Sequence, residues 1–342
     1  MKTKMSIGQR ILAYIKGNPI VVMLALASLI VGCTIDNFFS LSNLNDLATN
    51  TTIRFLIALG VSGCLITKGT DLSAGRQAAL AATLTGVMVQ ASDFSGKLFK
   101  WMPTMNMWAV LLIVVCIGAF IGLLNGLIIA YLKVPPFIAT LGIQTIVYGI
   151  NLIYTNAQPI GSFSEQYTSF FTFKVGKWLS VIDPKFKGFS FYIIFALLAG
   201  LIFWFVYNKT THGKYMYAIG GNENAAEVSG VNVRGRLTAI YTTAGVMYAI
   251  AGWLMCGKSG GASASMGVSY ELEAIAGCTI GGVSTTGGIG TVGGILIGVL
   301  VFELLKIILL FLKVDPNFNY IAQGLVVITA VAMDIRKYVA KK

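Results

Sequence analysis

Acidic residues stand inside apolar stretches of this sequence, where an ionised group is costly and usually functional. Glu271 and Glu273 begin one apolar segment, and Glu303 lies in the next, three residues before Lys306. Residues three apart share a helix face, so Glu303 and Lys306 could form a structural ion pair or take part in transport. The sequence leaves both interpretations open.

Uncharged polar side chains in the apolar segments form a second set of candidates. Gln144, Tyr148 and Asn151 follow one another at four and three residues, so they share one helix face. Such side chains can line a solute path or form hydrogen bonds between helices. Charged residues in or beside the apolar segments complete the set. The candidate substrate path comprises Asp71, Arg76, Asn125, Gln144, Tyr148, Asn151 and Glu271.

Asp71 has a second interpretation, because it precedes an apolar segment that should form a helix. With Ser73 beside it, Asp71 is predicted to cap the amino end of that helix. The two roles are distinguished by which groups the carboxylate contacts.

Two glycine patterns resemble nucleotide-binding loops without their context. Residues 252–259 satisfy G-x-x-x-x-G-K-[ST], and residues 288–293 satisfy G-x-G-x-x-G. A phosphate loop follows a strand and needs a flexible backbone. In the first motif, however, the bulky residues Trp, Leu, Met and Cys stand between Gly252 and Gly257 at the end of an apolar segment. We predict no ATPase site and no catalytic residue in this chain.

Many of the 39 glycines have a simpler explanation, which is close packing of helices. Glycines that repeat every four residues share one helix face, where a second backbone can approach. This pattern is found in three apolar segments, at Gly118, Gly122 and Gly126; Gly277 and Gly281; and Gly290, Gly294 and Gly298.

The sequence offers little for metal or nucleophilic chemistry. The one histidine, His212, has no carboxylate or cysteine at metal-ligand spacing. The five cysteines all lie in apolar segments and show no C-x-x-C spacing. We therefore predict neither a metal site nor a cofactor in this chain.

The elements that must position these residues are membrane-spanning helices. Hydrophobic residues make up 56% of the 342 and charged residues 11%, about half the charge of a soluble domain, with mean hydropathy +0.78. A helix needs about 20 apolar residues to cross a bilayer core. The sequence predicts an all-α polytopic membrane protein, one domain over residues 1–342, with about ten spans at 18–35, 52–67, 74–90, 107–132, 136–154, 189–207, 237–256, 269–283, 289–312 and 319–335.

The distribution of charge predicts the orientation. Most of the 25 Lys and Arg residues fall in alternate loops, so both termini, a loop at 208–236 and a tail at 336–342 are predicted to be cytoplasmic. This bias accounts for the net charge of +12 better than nucleic-acid binding does. Ten spans divide into two sets of five, so the second half enters the membrane in the opposite sense, which predicts an inverted repeat.

The predicted loop 208–236 contains a short helix at 222–230. Asn222 suits an N-cap, Glu223 suits the positive end of the helix dipole, and Gly230 suits a C-terminal stop. A helix of two turns is not stable alone. It must pack either on this protein's own inner surface or in a cleft of a soluble partner.

In this segment and in three others, the chain resembles the permease subunits of bacterial ABC sugar importers of the ribose/galactose class. The resemblance rests on Thr70–Gln77, Tyr131–Gly142, Gly213–Val233 and Tyr270–Gly294. Arg76 stands where ribose permeases tend to have a small residue, which favours the galactose/methyl-galactoside permeases. The predicted ATPase-coupling residues are Gly220, Asn222, Glu223, Ala225, Ala226, Ser229 and Gly230.

The resemblance implies an assembly in the bacterial cytoplasmic (inner) membrane. It would contain two copies of this chain, two copies of a cytoplasmic ATPase that binds ATP and Mg, and a periplasmic or surface-tethered sugar-binding protein. Two alternatives remain. One is an ion-coupled secondary sugar transporter, which needs paired carboxylates or broken-helix carbonyls near mid-membrane. The other is an ABC permease for another small solute, such as branched-chain amino acids.

Overall fold

The computed structural model describes residues 19–181, 183–315 and 317–339. Within them the chain is mostly helical, with a two-stranded antiparallel hairpin of β1 (Lys174–Val175) and β2 (Phe189–Ser190) and a short 3₁₀ helix (Lys177–Val181). The α-helices are α1 (Pro19–Thr34), α2 (Leu41–Ile66), α3 (Ala74–Val89), α4 (Met107–Tyr131), α5 (Pro136–Thr155), α6 (Glu165–Thr172), α7 (Ile193–Lys209), α8 (Thr211–Gly221), α9 (Glu223–Val228), α10 (Val233–Ser259), α11 (Tyr270–Ile280), α12 (Val292–Phe311) and α13 (Phe318–Val339).

A helix lies at each of the ten predicted spans, but not every one is long enough to cross a membrane. Within the described residues, α2, α4, α5, α10, α12 and α13 are long and apolar enough, and α7 with α8 makes a seventh if that pair, bent by 70°, is one span. The other three, α1, α3 and α11, have 16, 16 and 11 residues. The all-helical, multi-pass class is confirmed, whereas ten full spans and the inverted repeat stay predictions.

Helix boundaries differ from the predicted ones where capping outweighs hydropathy. α2 begins at Leu41 rather than 52, since Ser40 accepts a hydrogen bond from the Asn43 backbone N–H. α10 begins at Val233 because Asn232 caps it in the same way. The predicted loop 208–236 is therefore mostly helical, as α8, α9 and the start of α10. α13 continues to Val339, into the predicted tail, and the predictions for residues 1–18 and 340–342 lie outside the described residues.

The centre of the bundle is α10, which packs along α4, α3 and α2. Gly118, Gly122 and Gly126 of α4 each lie against the backbone of α10, where a methyl group would collide. This confirms that the four-residue glycine pattern marks close helix packing. The same arrangement joins α11 to α12 through Gly277, Gly281, Gly294 and Gly298.

The segment between α5 and α7 folds over one end of the bundle. The hydroxyl of Tyr167 in α6 donates to the carbonyl oxygen of Trp253 at 2.6 Å. The rings of Phe170 and Phe171 lie 5.6 and 5.3 Å from the Trp253 ring. Because the 27 residues of α10 span about 40 Å, this aromatic cap and the start of α10 beside α9 lie at opposite ends of the molecule.

Candidate substrate path and coupling surface

A buried hydrogen-bond network surrounds Asp71 in the turn between α2 and α3. One carboxylate oxygen accepts from the backbone N–H of Ser73 at 2.9 Å, and the other accepts from the hydroxyl of Tyr248 at 3.0 Å. Ser73 Oγ in turn accepts from the amides of Gln77 and Asn125 at 2.7 and 3.0 Å. The Asp71 carboxylate thus bonds to Ser73, the N-cap residue of α3, at the amino end of that helix, and Tyr248 also joins it to α10.

Three of the candidate path residues are interior groups that join helices. Asp71 and Asn125 belong to the network around Ser73, and each is at most 1% exposed. Asn151 of α5 accepts from the hydroxyl of Thr83 in α3 at 2.8 Å and is equally buried. Their contacts favour the interhelical alternative over direct contact with a solute.

The other candidates converge on a more open face of α3 and α5. The guanidinium carbon of Arg76 lies 3.9 Å from the centre of the Tyr148 ring, a cation–π contact. Arg76 also donates to the carbonyl oxygen of Ala264 at 3.1 Å. Arg76, Tyr148 and Gln144, one turn earlier on α5, are all half-buried. A partly exposed charge inside a bundle needs water or a polar partner beside it, not lipid.

Glu271, in the first turn of α11, brings an acceptor to the same place. Its carboxylate contacts Gly75, the residue next to Arg76. It is 8% exposed, and its Oε2 has no hydrogen-bond partner among the described residues. A carboxylate, a guanidinium and an aromatic face thus lie together, which suits a ligand that offers hydroxyl groups and an apolar C–H face.

A separate buried cluster joins α2, α11 and α12 through ion pairs and α13 through a hydrogen bond. Arg54 Nε of α2 lies 2.7 Å from Glu273 Oε2 and 3.1 Å from Glu303 Oε2, while Lys306 Nζ lies 2.6 Å from Glu273. The amide of Gln323 in α13 donates to the same Glu273 carboxylate at 3.1 Å. Lys306 pairs with Glu273 on the neighbouring helix and not with Glu303, the partner that the sequence spacing allowed.

The composition of this cluster bears on ion coupling. Two carboxylates face two cations, so the cluster has no excess negative charge with which to bind Na⁺ or H⁺. Arg54 was not among the predicted site residues, although a charged residue inside the apolar segment 52–67 was a usable signal. These contacts favour a structural role for the buried acids Glu273 and Glu303.

The predicted coupling helix is present as α9, slightly shorter than 222–230. The Asn222 side chain accepts from the backbone N–H of Ala225 at 3.0 Å, as an N-cap should. Gly230 has φ +85°, the left-handed conformation expected of a glycine stop. Glu223 lies 3.5 Å from Lys133 in an exposed ion pair that contributes little to stability.

The two faces of α9 differ. Ala226 is buried in an apolar cluster of this chain, with Ala130, Ile219, Val233 and Leu237. Val228 is 90% exposed, and Ala225 and Ser229 are also exposed. Ala226 therefore packs on this protein's own inner surface, whereas the opposite face of α9 is free to contact a partner. Val228 was not among the predicted coupling residues, although an exposed apolar residue in a polar segment was the available signal.

The two glycine motifs do not form phosphate loops. Residues 252–259 are continuous helix in α10, and Lys258 donates to the side chain of Asn50. Residues 288–293 lead into α12, and the Gly288 N–H donates to the carbonyl oxygen of Ile66 at 2.8 Å. Gly290 precedes α12, so it is not on the glycine face of that helix. In the parts of the chain that the structure describes, no three His, Cys, Asp or Glu residues are grouped to hold a metal.

Comparison with known proteins identifies the class of this membrane protein. Residues 43–331 match the family described as "Branched-chain amino acid transport system / permease component". The chain belongs to this family. The permease is 46% identical to the galactose/methyl galactoside import permease protein of Escherichia coli (strain K12), over 97% of each chain. Its resemblance to sugar-import permeases is thereby confirmed.

Two further relatives show the range of the similarity. The galactose/methyl galactoside import permease protein of Haemophilus influenzae is 44% identical, over 89% of this permease and 90% of the relative. The ribose import permease protein of the same organism is 31% identical, over 92% and 90%. No solved structure matches the permease.

Proposed function

We propose that this permease carries galactose or methyl galactoside across the bacterial inner membrane as the membrane subunit of an ATP-driven importer. The observation that carries this proposal is the near-full-length identity to galactose/methyl galactoside import permeases, 46% against 31% for a ribose permease. The orientation follows from the charge distribution, with both termini in the cytoplasm.

The rest of the importer consists of other chains. A second copy of the permease completes the membrane part, and a binding protein outside the membrane delivers the sugar. Two ATPase subunits in the cytoplasm bind ATP and Mg. The exposed face of α9, with Val228 and Ala225, is the surface on which an ATPase docks, and Gly220 supports it by packing against the carbonyl of Ile66.

The sugar path runs along the face that bears Arg76, Gln144 and Tyr148, with Glu271 beside them. The carboxylate of Glu271 supplies negative charge beside Arg76, and the half-buried Tyr148 ring can pack against C–H groups of the sugar. Few contacts are required, because a path that binds its solute tightly releases it slowly. Asp71, Asn125 and Asn151 hold the surrounding helices in register.

Transport by the reconstituted importer tests this function. Proteoliposomes would contain the permease, its ATPase and its binding protein, and uptake of labelled galactose, methyl galactoside, ribose and leucine would be compared. We expect uptake of the first two only, and only with ATP inside. Preferred uptake of leucine would favour an amino-acid permease, and uptake driven by a Na⁺ or H⁺ gradient without ATP would favour a secondary transporter.

A further inference from the structure

An apolar groove opens on the outer surface of the bundle between α2, α7, α8 and α10. Its volume is about 420 Å³, within the range of about 300–1,000 Å³ typical of small-molecule sites. The walls are formed largely by aliphatic and aromatic side chains, among them Leu59, Ile202, Phe203, Ile240 and Ala244. Ile202 is more than half exposed, so the groove is open to the surrounding membrane.

The polar groups along the groove are already paired. Thr243 donates its hydroxyl to the carbonyl oxygen of Ala239 at 2.8 Å, and Tyr207 shares a 2.8 Å hydrogen bond with Ser62. Gly63 of α2 also lines the groove and contributes no side chain to fill it. The body of the groove therefore suits an apolar chain and offers no anchor for a polar one.

One end of the groove is different in character, because it lies at the bend between α7 and α8. Thr210 and His212 line this end, and the exposed Lys209 directly precedes them. Arg236 of α10 is close enough for its positive charge to act on the imidazole of His212. No acidic residue is among the described residues that line the groove. The positive charges of Lys209 and Arg236 thus flank the mouth, whereas the walls are apolar.

We propose that this groove is a binding site for an anionic phospholipid, with an acyl chain along α2, α7 and α10 and the phosphate group at the basic mouth. The chemistry of the two parts selects this ligand over a neutral lipid, because Lys and Arg at a membrane surface attract anionic head groups. The site is distinct from the sugar path and from α9, and it does not depend on the sugar that is transported.

The groove part of the proposal is tested by filling it. Thr243→Phe places a ring in the groove, and Thr145→Phe makes the same change at an exposed position of α5 outside it. Delipidated permease would be titrated with dioleoyl phosphatidylglycerol and followed by native mass spectrometry. We expect Thr243→Phe to weaken lipid binding about tenfold and Thr145→Phe to leave it within about twofold. Equal binding by the two variants would overturn the proposal.

The head-group part is tested by comparing phosphatidylglycerol with phosphatidylcholine of the same chains. We expect the native permease to bind the anionic lipid at least about tenfold more tightly, and the double variant Lys209→Gln/Arg236→Gln to lose most of that preference. Lys100→Gln, in the exposed loop between α3 and α4, is the matched control and should keep it. Equal affinity of the native permease for both lipids would show that the groove holds acyl chains without selecting a charge.

Discussion

Two glycines near α9, Gly230 and Gly221, differ in backbone conformation. Gly230 has φ +85°, and a side chain there would meet open space, so only its conformation demands glycine. Gly221, at the end of α8, also faces open space but has no positive φ. The same substitution at Gly230 and at Gly221 therefore isolates the effect of the left-handed conformation that ends α9.

We predict that Gly230→Val lowers both sugar-stimulated ATP hydrolysis and uptake, because a non-glycine residue in this conformation costs about 1–2 kcal/mol. The protein should still insert in the membrane. Gly221→Val is the matched control and should keep most of the activity. If both variants transport at the native rate, the turn after α9 is not part of the coupling path.

The open face of α3 and α5 gives a second prediction at the scale of residues. Tyr148→Ala and Glu271→Gln should each slow sugar uptake while the importer still assembles, because one removes an apolar stacking face and the other a charged acceptor. Thr145→Ala, at an exposed position of α5, should have little effect. Native uptake rates in both variants, measured with labelled galactose, would place the path elsewhere.

At the scale of elements, the two faces of α9 should respond differently to the same substitution. Val228→Asp should abolish co-purification of the ATPase while the permease keeps its thermal stability, since Val228 contacts solvent. Ala226→Asp should instead lower the unfolding temperature, because it forces a carboxylate into an apolar cluster. Glu227→Ala controls for loss of charge on the exposed face. ATPase that remains bound to Val228→Asp would contradict docking on this face.

The charge cluster of Arg54, Glu273, Glu303 and Lys306 connects α2, α11 and α12. Arg54→Leu should destabilise the permease by about 3–5 kcal/mol, because two buried carboxylates lose a partner. Arg54→Lys should retain more stability, since it keeps the charge. Thermal unfolding in detergent measures both variants, and native stability of Arg54→Leu would show that the carboxylates are protonated or solvated without it.

The molecule as a whole has short helices meeting in its interior. α3 and α11 lie at the third and eighth predicted spans, and both are too short to cross the membrane. They lie side by side, because Gly75 of α3 packs against Gly267, which precedes α11. Short helices at equivalent places in two halves are what an inverted repeat would produce. This pairing supports the repeat, which stays a prediction.

The division of labour between chains gives a prediction for the whole importer. Lys258→Ala should leave the ATP hydrolysis of the assembled transporter within about twofold, because residue 258 lies in continuous helix and not in a phosphate loop. The purified permease alone should not bind ATP. Loss of nucleotide binding in the variant, with the partner ATPase unchanged, would show that this lysine contacts ATP.

Signals that are local in sequence determined the class of this protein. Apolar length predicted the long helices, the four-residue glycine period predicted the face of α4 on which another helix packs, and Asn222 and Gly230 predicted both ends of α9. Each of these depends only on residues within a few turns of one another. Similarity along nearly the whole chain then identified the permease family.

Only the tertiary structure decided which side chains share a site. Asn151 and Tyr148 lie on one helix face by spacing, yet one is enclosed by α3 and the other contacts Arg76 on an open surface. Lys306 pairs with Glu273 and not with Glu303, and α9 buries Ala226 while it exposes Val228. These outcomes depend on residues far apart in sequence, because burial and ion pairing are set by whichever helix packs alongside.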